Sequence, residues 1–168
     1  MNTNNRKNKE ALERLVNHES KSSIWGFLII SVVPSLVAAL SILRFGHLVG
    51  GLMSVFCLAM SVVGIRGSSR ITLVYSRTIS RIGTDDIEGV YLETYTTSYF
   101  SLKPIPTVRF FLSEEKLRYD KGSFPLPVKD LFHDECLVIE RDNVKYYLIV
   151  ACFDGHEVDQ VIDALDQG

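Results

Sequence analysis

Two long apolar runs near the start of the chain constrain its fold more than any other feature. Residues 24–43 contain no Asp, Glu, Lys or Arg, and residues 48–65 repeat this pattern. A helix rises about 1.5 Å per residue, so each run approaches the ~30 Å thickness of a bilayer's hydrocarbon core. Because only residues 44–47 separate the runs, the sequence predicts a transmembrane hairpin of two helices.

The basic residues that flank these runs predict an orientation. Five of them precede the first run, and Arg66, Arg70, Arg77 and Arg81 follow the second, whereas the connecting turn offers only Arg44. Cytoplasmic flanks carry an excess of Lys and Arg. We therefore expect a multi-pass protein of the cytoplasmic (inner) membrane with both termini in the cytoplasm. A cleaved signal peptide is the less favoured alternative, because the polar leader is long.

Small residues form a stripe along the second run. They recur at spacings of three and four, as helix-packing positions do, and are Gly50, Ser54, Cys57, Ser61 and Gly64. In lipid, small residues allow close approach of two helix backbones. The stripe therefore predicts packing within the hairpin, or else docking of another subunit.

Composition divides the chain into three parts. Residues 1–23 form a polar leader, residues 24–65 the predicted hairpin, and residues 66–168 a globular domain. The last part is long enough for one small core. It carries 12 Lys and Arg against 17 Asp and Glu, and this acidic balance argues against nucleic-acid binding.

The globular part is rich in alternating patterns typical of strands. Residues 71–75 and 87–100 alternate in polarity, and about seven strands are expected in all. Val158, Val161, Ile162 and Leu165 then form one apolar stripe of a C-terminal amphipathic helix. Asp154 and Glu157 are spaced as a capping pair at its start.

The segment from Ser69 to Tyr95, SRITLVYSRTISRIGTDDIEGVYLETY, resembles the bacterial pleckstrin-homology-like domains that flank transmembrane helices. Its Ile82–Val90 stretch is similar to a turn-and-strand pattern of that family, although Gly83 and Thr84 replace the usual Pro and Leu. The resemblance implies a membrane-adjacent α+β domain, a split barrel of about seven antiparallel strands closed by the C-terminal helix. The family has no uniform activity to carry over.

The stretch 87–100 is unusual for a strand because neither face is strongly apolar. Tyr91, Tyr95 and Tyr99 share one face, and tyrosines with little charge suit a protein contact. A protein-interaction strand and a plain solvated hairpin both remain open. The arginines Arg66, Arg70, Arg77 and Arg81 could likewise bind anionic lipid headgroups or only set the orientation.

No motif for chemistry stands out. His133 to Cys136 hold four consecutive possible ligands, but neighbours in an extended segment point apart, so no metal site or cofactor is expected. No nucleophile–base set can be assembled, and no small-molecule substrate is evident. We therefore expect a non-catalytic membrane adaptor or accessory subunit that binds a protein partner or itself. An anionic-lipid sensor and an immunity-type protein that neutralises a toxin are the alternatives.

Overall fold

The protein was analysed as a computed structural model, which describes residues 3–99, 103–113, 117–126 and 135–167. Helix α1 spans Thr3–Phe45 and helix α2 spans His47–Ser76. The single residue between them, Gly46, has a φ of +84°. This left-handed conformation ends helices and is adopted most easily by glycine.

Eight strands follow in the described residues, and they form three separate sheets, of which the two three-stranded ones are antiparallel. The first sheet has the order β1-β2-β5, the second pairs β3 with β4, and the third has the order β6-β7-β8. The strands are β1 Ile79–Asp85, β2 Gly89–Thr94, β3 Thr97–Tyr99, β4 Lys103–Ile105, β5 Arg109–Phe111, β6 Arg118–Gly122, β7 Cys136–Arg141 and β8 Val144–Ile149.

Helix α3, Gly155–Gln167, follows a short 3₁₀ turn at Val150–Cys152. Its start is capped by the predicted pair, because the backbone N–H of Asp154 donates to Glu157 Oε2 at 2.9 Å. Val158 and Val161 are buried on its inner side. The apolar stripe read from the sequence is therefore the packed face of this helix.

The chain divides into two compact units. The first consists of Met1–Asn17, Leu73–Thr97 and Ile105–Gly168, and the second of His18–Thr72 and Ser98–Pro104. We call them the sheet unit and the helical unit. The core of the sheet unit is made of side chains from its strands and α3, among them Ile79, Leu92, Phe110, Leu148 and Val161.

The predicted fold class is wrong in two respects. The described strands form three small sheets with no closed barrel, so a seven-strand split barrel is not the architecture. Among the described residues, one helical stretch, Gly50–Ser76, is long and apolar enough to cross a membrane, and the apolar stretch described in α1 is the shorter Val32–Arg44. A hairpin of two spans is therefore not supported, and the fold is a mixed α+β arrangement.

The predicted strand at residues 71–75 is also wrong, because α2 continues to Ser76. Thr72, Val74, Tyr75 and Ser76 are buried, whereas Leu73 is exposed. Short apolar alternation fits one turn of a helix as well as a strand. A helix that has already formed is extended by one hydrogen bond per added residue, so continuation is favoured over a change of structure.

Candidate functional site

A cleft of about 610 Å³ lies in the sheet unit and is mostly polar. Four parts of the unit line it: the N-terminal segment (residues 3–17 of α1), strands β1 and β2 with the residues that follow β2, the residues just before β5, and the start of α3. The lining residues are Lys9, Glu13, Val16, Asn17, Ser80, Arg81, Ile82, Glu93, Thr94, Tyr95, Thr96, Thr107 and Glu157. All of them are described residues of one compact unit.

The N-terminal segment forms the first wall because one side of its helix fits the sheet unit. Leu12 is only 1% exposed and Val16 only 3% exposed, and they lie one helical turn apart. Asn5 and Asn8 continue this side towards the N-terminus at spacings of three and four. The polar leader of the sequence is therefore a packed part of the sheet unit.

Asparagine side chains attach this segment to backbone groups around the 3₁₀ turn. Asn5 Nδ2 donates to Phe153 O at 2.7 Å and to Asp154 Oδ1 at 3.1 Å, and Asn8 Nδ2 donates to Ala151 O at 2.9 Å. Lys9 Nζ lies 5.4 Å from the centre of the Phe153 ring, within the range of a cation–π contact. These donors satisfy carbonyl groups at the end of the turn, which would otherwise need water.

Strand β1 forms the second wall and lies at the edge of its sheet. Two residues of β2 form backbone hydrogen bonds on the side of β5. The N–H of Thr94 donates to Val108 O at 3.0 Å, and the N–H of Leu112 donates to Val90 O at 2.9 Å. Successive residues of a strand direct their backbone N–H and C=O groups to opposite sides. Tyr91 and Glu93 therefore bond to β1, where their partners are Gly83 and Arg81. The backbone groups of Ile82 and Thr84 therefore point away from β2.

Two features limit how much of this edge is open. The register with β2 shifts between Ile79 and Arg81, which is a β-bulge at Ser80, and Thr78 bridges to Tyr147 just before the strand. At the far end, Asp85 Oδ1 accepts from the N–H groups of Ile87 and Glu88 in the turn to β2. Bulges and turns interrupt edge pairing, so the open edge is short, about residues 82–84.

The charges that line the cleft have both signs. Glu93 is held by Arg109, whose Nη2 lies 2.6 Å from Glu93 Oε1, and Glu157 accepts from Asp154 N. Glu13 and Arg81 are exposed on opposite walls. The cleft therefore offers hydrogen-bonding groups and scattered charges, and no concentration of a single sign.

The predicted tyrosine strand is divided in the structure, since β2 ends at Thr94 and β3 begins at Thr97. Tyr91 is buried across Gly83, with Phe111 at 5.7 Å between ring centres and the Arg109 guanidinium 4.1 Å above its ring. Tyr95 is buried near the N-terminal segment, and burial, followed by the nearby Glu13 carboxylate, raises its pKa. The side chain of Tyr99 lies outside the described residues. Burial of Tyr91 and Tyr95 leaves these rings little surface to offer a partner.

The four predicted arginines are distributed over both units. Arg66 and Arg70 are exposed on the part of α2 that belongs to the helical unit, whereas Arg77 is half-buried and Arg81 exposed in the sheet unit. Two of the four therefore belong to each unit. These positions suit arginines that set the orientation of the chain in a membrane and equally suit arginines that contact lipid headgroups. Both roles stay predictions.

The small-residue stripe of α2 faces α1 within the helical unit. Gly50 is buried, and a Cβ added to it would lie only 2.6 Å from Ile42 Cα. Ser54 and Cys57 line a shared space of about 330 Å³ with Ala38 and Ile42 of α1. Ser54 and Ser61 hydroxyls donate to backbone carbonyls of α2 itself. Gly50, Ser54 and Cys57 are therefore placed for packing on α1.

The buried thiols are poor nucleophiles. Burial raises the pKa of the Cys136 thiol to about 12 and that of the Cys152 thiol to about 12, and only the thiolate reacts readily. His133 and Asp134 of the possible ligand group lie outside the described residues. Among the residues that were described, no group of three or more His, Cys, Asp or Glu side chains could hold a metal ion.

Sequence reasoning missed the N-terminal segment as part of the cleft. Its signal was present but weak, since Leu12, Leu15 and Val16 share one side of a helix that otherwise reads as polar. The sequence does not reveal the contacts of Asn5 and Asn8, because the residues around an asparagine do not show whether its side chain binds a distant carbonyl or water.

Comparisons of the chain with protein-family models, with characterised proteins and with solved structures find no match. The resemblance to pleckstrin-homology-like domains therefore stays a prediction from the sequence. The features of the chain that bear on its function are the cleft, the open strand edge and the exposed apolar helix.

Proposed function

We propose that this chain is a membrane-anchored, non-catalytic adaptor whose sheet unit binds an extended segment of another protein in the cleft. The observation that carries this proposal is the position of an open strand edge at a polar cleft. Unpaired backbone N–H and C=O groups on an edge strand form hydrogen bonds with an added strand. The cleft beside it supplies side-chain contacts that would distinguish one segment from another.

The groups around the edge suit a short polar segment. The outward backbone groups of Ile82 and Thr84 can pair with about three residues of an extended chain. Thr96 and Thr107, whose hydroxyl oxygens lie 2.5 Å apart, form a neutral polar surface beside them. Glu13 and Arg81 can each bind an opposite charge. The balanced charges argue for a peptide over an anionic headgroup, which would need basic residues together.

Helix α2 supplies the proposed anchor. Apolar side chains along it are open to the surroundings, with Leu48 80% exposed and Val55 69% exposed. In water this surface would be unfavourable by roughly 25 cal/mol for each Å² of apolar area, whereas lipid accepts it. Confinement to a membrane raises the effective concentration of the sheet unit near membrane partners.

The proposed location is the cytoplasmic side of a bacterial inner membrane. Arg66 and Arg70 follow the apolar part of α2 directly and are exposed, as expected for a cytoplasmic flank. Reduced thiols at Cys136 and Cys152 agree with a reducing compartment.

The proposed role without catalysis is supported by the direction of the perturbed pKa values. Catalytic groups usually have pKa values moved towards the working pH. The Cys136, Cys152 and Tyr95 values all move away from neutrality because these side chains are buried. Such shifts are typical of packed side chains and not of a prepared nucleophile.

Site-specific photo-crosslinking tests this function. A photoreactive phenylalanine analogue replaces Ile82 in the full-length protein, and the adducts formed in native membranes are sequenced by mass spectrometry. We expect adducts that map to one short segment of one protein, which can be a second copy of this chain. Thr96→Arg, which fills the cleft, should reduce the yield at least 5-fold, whereas Ser113→Arg, at an exposed turn, should not.

Three results would overturn the proposal. These are adducts with lipid alone, adducts scattered over many proteins, and a yield that Thr96→Arg leaves unchanged. Protection of the buried Cys136 thiol from alkylation verifies that each variant is folded.

A further inference from the structure

The N-terminal segment has features of a detachable element. Its packed side contributes two fully buried aliphatic side chains, Leu12 and Val16. The bonds from Asn5 and Asn8 go to two backbone carbonyls and to the Asp154 carboxylate, all of which water can satisfy when the segment leaves. Elements with few buried apolar contacts open at lower free energy than the core.

The segment also decides the shape of the cleft. Four lining residues come from it, namely Lys9, Glu13, Val16 and Asn17. They face the cleft together with the strand wall at Ser80, Arg81 and Ile82. Without the segment, one wall is missing and only the strand wall and its neighbours remain.

The segment is continuous with the apolar part of the chain. Helix α1 runs without interruption from Thr3 to Phe45, and it passes from the sheet unit into the helical unit after Asn17.

We propose that the N-terminal segment is a reversible switch: its docking completes the binding cleft, and its release disables binding. The role in binding rests on the function proposed above, whereas the docking and release do not. Release of the segment would expose Cys152, a native cysteine whose reactivity can report the release. Cys152 is 1% exposed, lies between the two acceptor residues Ala151 and Phe153, and is near Lys9, whose charge acts on its thiol.

Alkylation of the native cysteines tests the switch in full-length protein, in nanodiscs of phosphatidylethanolamine and phosphatidylglycerol. N-ethylmaleimide should react with Cys152 only when the segment is open. Cys136 is buried on β7, next to Val158 and Ile162 of α3, and reports opening of the whole unit. Asn5→Ala with Asn8→Ala removes both sets of hydrogen bonds. We expect Cys152 to react about 10-fold faster and the Cys136 rate to stay within 2-fold, since the three hydrogen bonds that hold the segment are lost.

Asn4→Ala with Lys7→Ala is the matched control, because both side chains are exposed on the same helical stretch. It should leave both rates unchanged. The proposal is overturned when Cys152 is not accelerated in the Asn5/Asn8 variant, or when Cys136 is accelerated equally, because the segment is then an inseparable part of the core.

The crosslinking at Ile82 separates this proposal from the function. Capture that falls at least 5-fold in the Asn5/Asn8 variant, with Cys152 accelerated, supports the switch. Capture that stays at the wild-type level while Cys152 is accelerated contradicts it. Absence of capture even in the wild type refutes the peptide-binding function alone, and accelerated alkylation of Cys152 then still supports reversible docking.

Discussion

The sheet unit and the helical unit differ in how far their apolar side chains are exposed. In the sheet unit Ile79, Leu92 and Phe110 are fully buried, whereas in the helical unit Leu43 is 82% exposed and Leu48 is 80% exposed. Both units come from one chain and have regular hydrogen-bonded backbones. The difference is the basis for the proposal that α2 anchors the chain in a membrane while the sheet unit stays in water.

The two units also use small residues differently. In the sheet unit, Gly83 lies beneath the Tyr91 ring, which lets a large side chain cover a strand. In the helical unit, Gly50 brings the backbone of α2 close to Ile42 of α1. Water-soluble cores gain stability by burying area, and helices in lipid gain it by close contact.

A charge placed on α2 tests this comparison with the largest expected effect. Val55→Lys puts a charge at a 69% exposed position in the apolar part of the helix. If this surface faces lipid, the substitution disfavours insertion by roughly 3 kcal/mol, and the carbonate-resistant membrane fraction should fall. If the surface faces water, the same variant would be neutral or more soluble.

The control for that prediction is Thr84→Lys, at an exposed position of β1 in the sheet unit. It should leave the membrane fraction unchanged, because that side chain already meets water. Equal losses in both variants would show that the two units do not differ in solvent.

Much of the helical structure could be read from the sequence, and the sheet arrangement could not. The C-terminal helix is visible because Val158, Val161 and Leu165 repeat at helical spacing over 13 residues. The strand predicted at residues 71–75 is wrong because the polarity pattern of five residues is the same for a short strand and for the end of a helix. The barrel was expected from the order of strands, but the pairing of β2 with β5 and of β6 with β7 depends on contacts that no local pattern encodes.

The cleft was harder still to predict, because its walls come from distant parts of the chain. Asn5 and Phe153 are 148 residues apart, and neither has a distinctive neighbour sequence. The tyrosines at positions 91, 95 and 99 share one face of a strand pattern in the sequence, but alternation does not report which face is covered. Arg109, from another strand, covers Tyr91.

A second prediction compares two adjacent glycines in α2 and has an intermediate effect. Gly50→Val places a side chain against the backbone of Ile42, whereas a Cβ at Gly51 meets nothing within 4 Å. Overpacking typically destabilises by about 1–3 kcal/mol, so Gly50→Val should lower the melting temperature of the helical circular-dichroism signal in detergent micelles. Gly51→Val is the matched control and should lower it much less. Similar melting temperatures for both variants would mean that α1 and α2 do not pack through Gly50.

The smallest effect is expected at the surface of the sheet unit, where water screens charges. Backbone hydrogen bonds from Ile87 and Glu88 lower the pKa of Asp85 below its ordinary value of 3.8. A carboxylate with a lowered pKa stabilises the folded state above the unfolded pKa, and this contribution is lost as pH falls through the folded pKa. Asp85→Asn should therefore be less stable than wild type at pH 7, and the difference should vanish towards pH 2.

Urea unfolding followed by circular dichroism measures this difference in stability, with Asp86→Asn as the control for removing one charge. A difference between wild type and Asp85→Asn that is constant from pH 7 to pH 2 would mean that the turn depends on the shape of the Asp85 side chain and not on its charge.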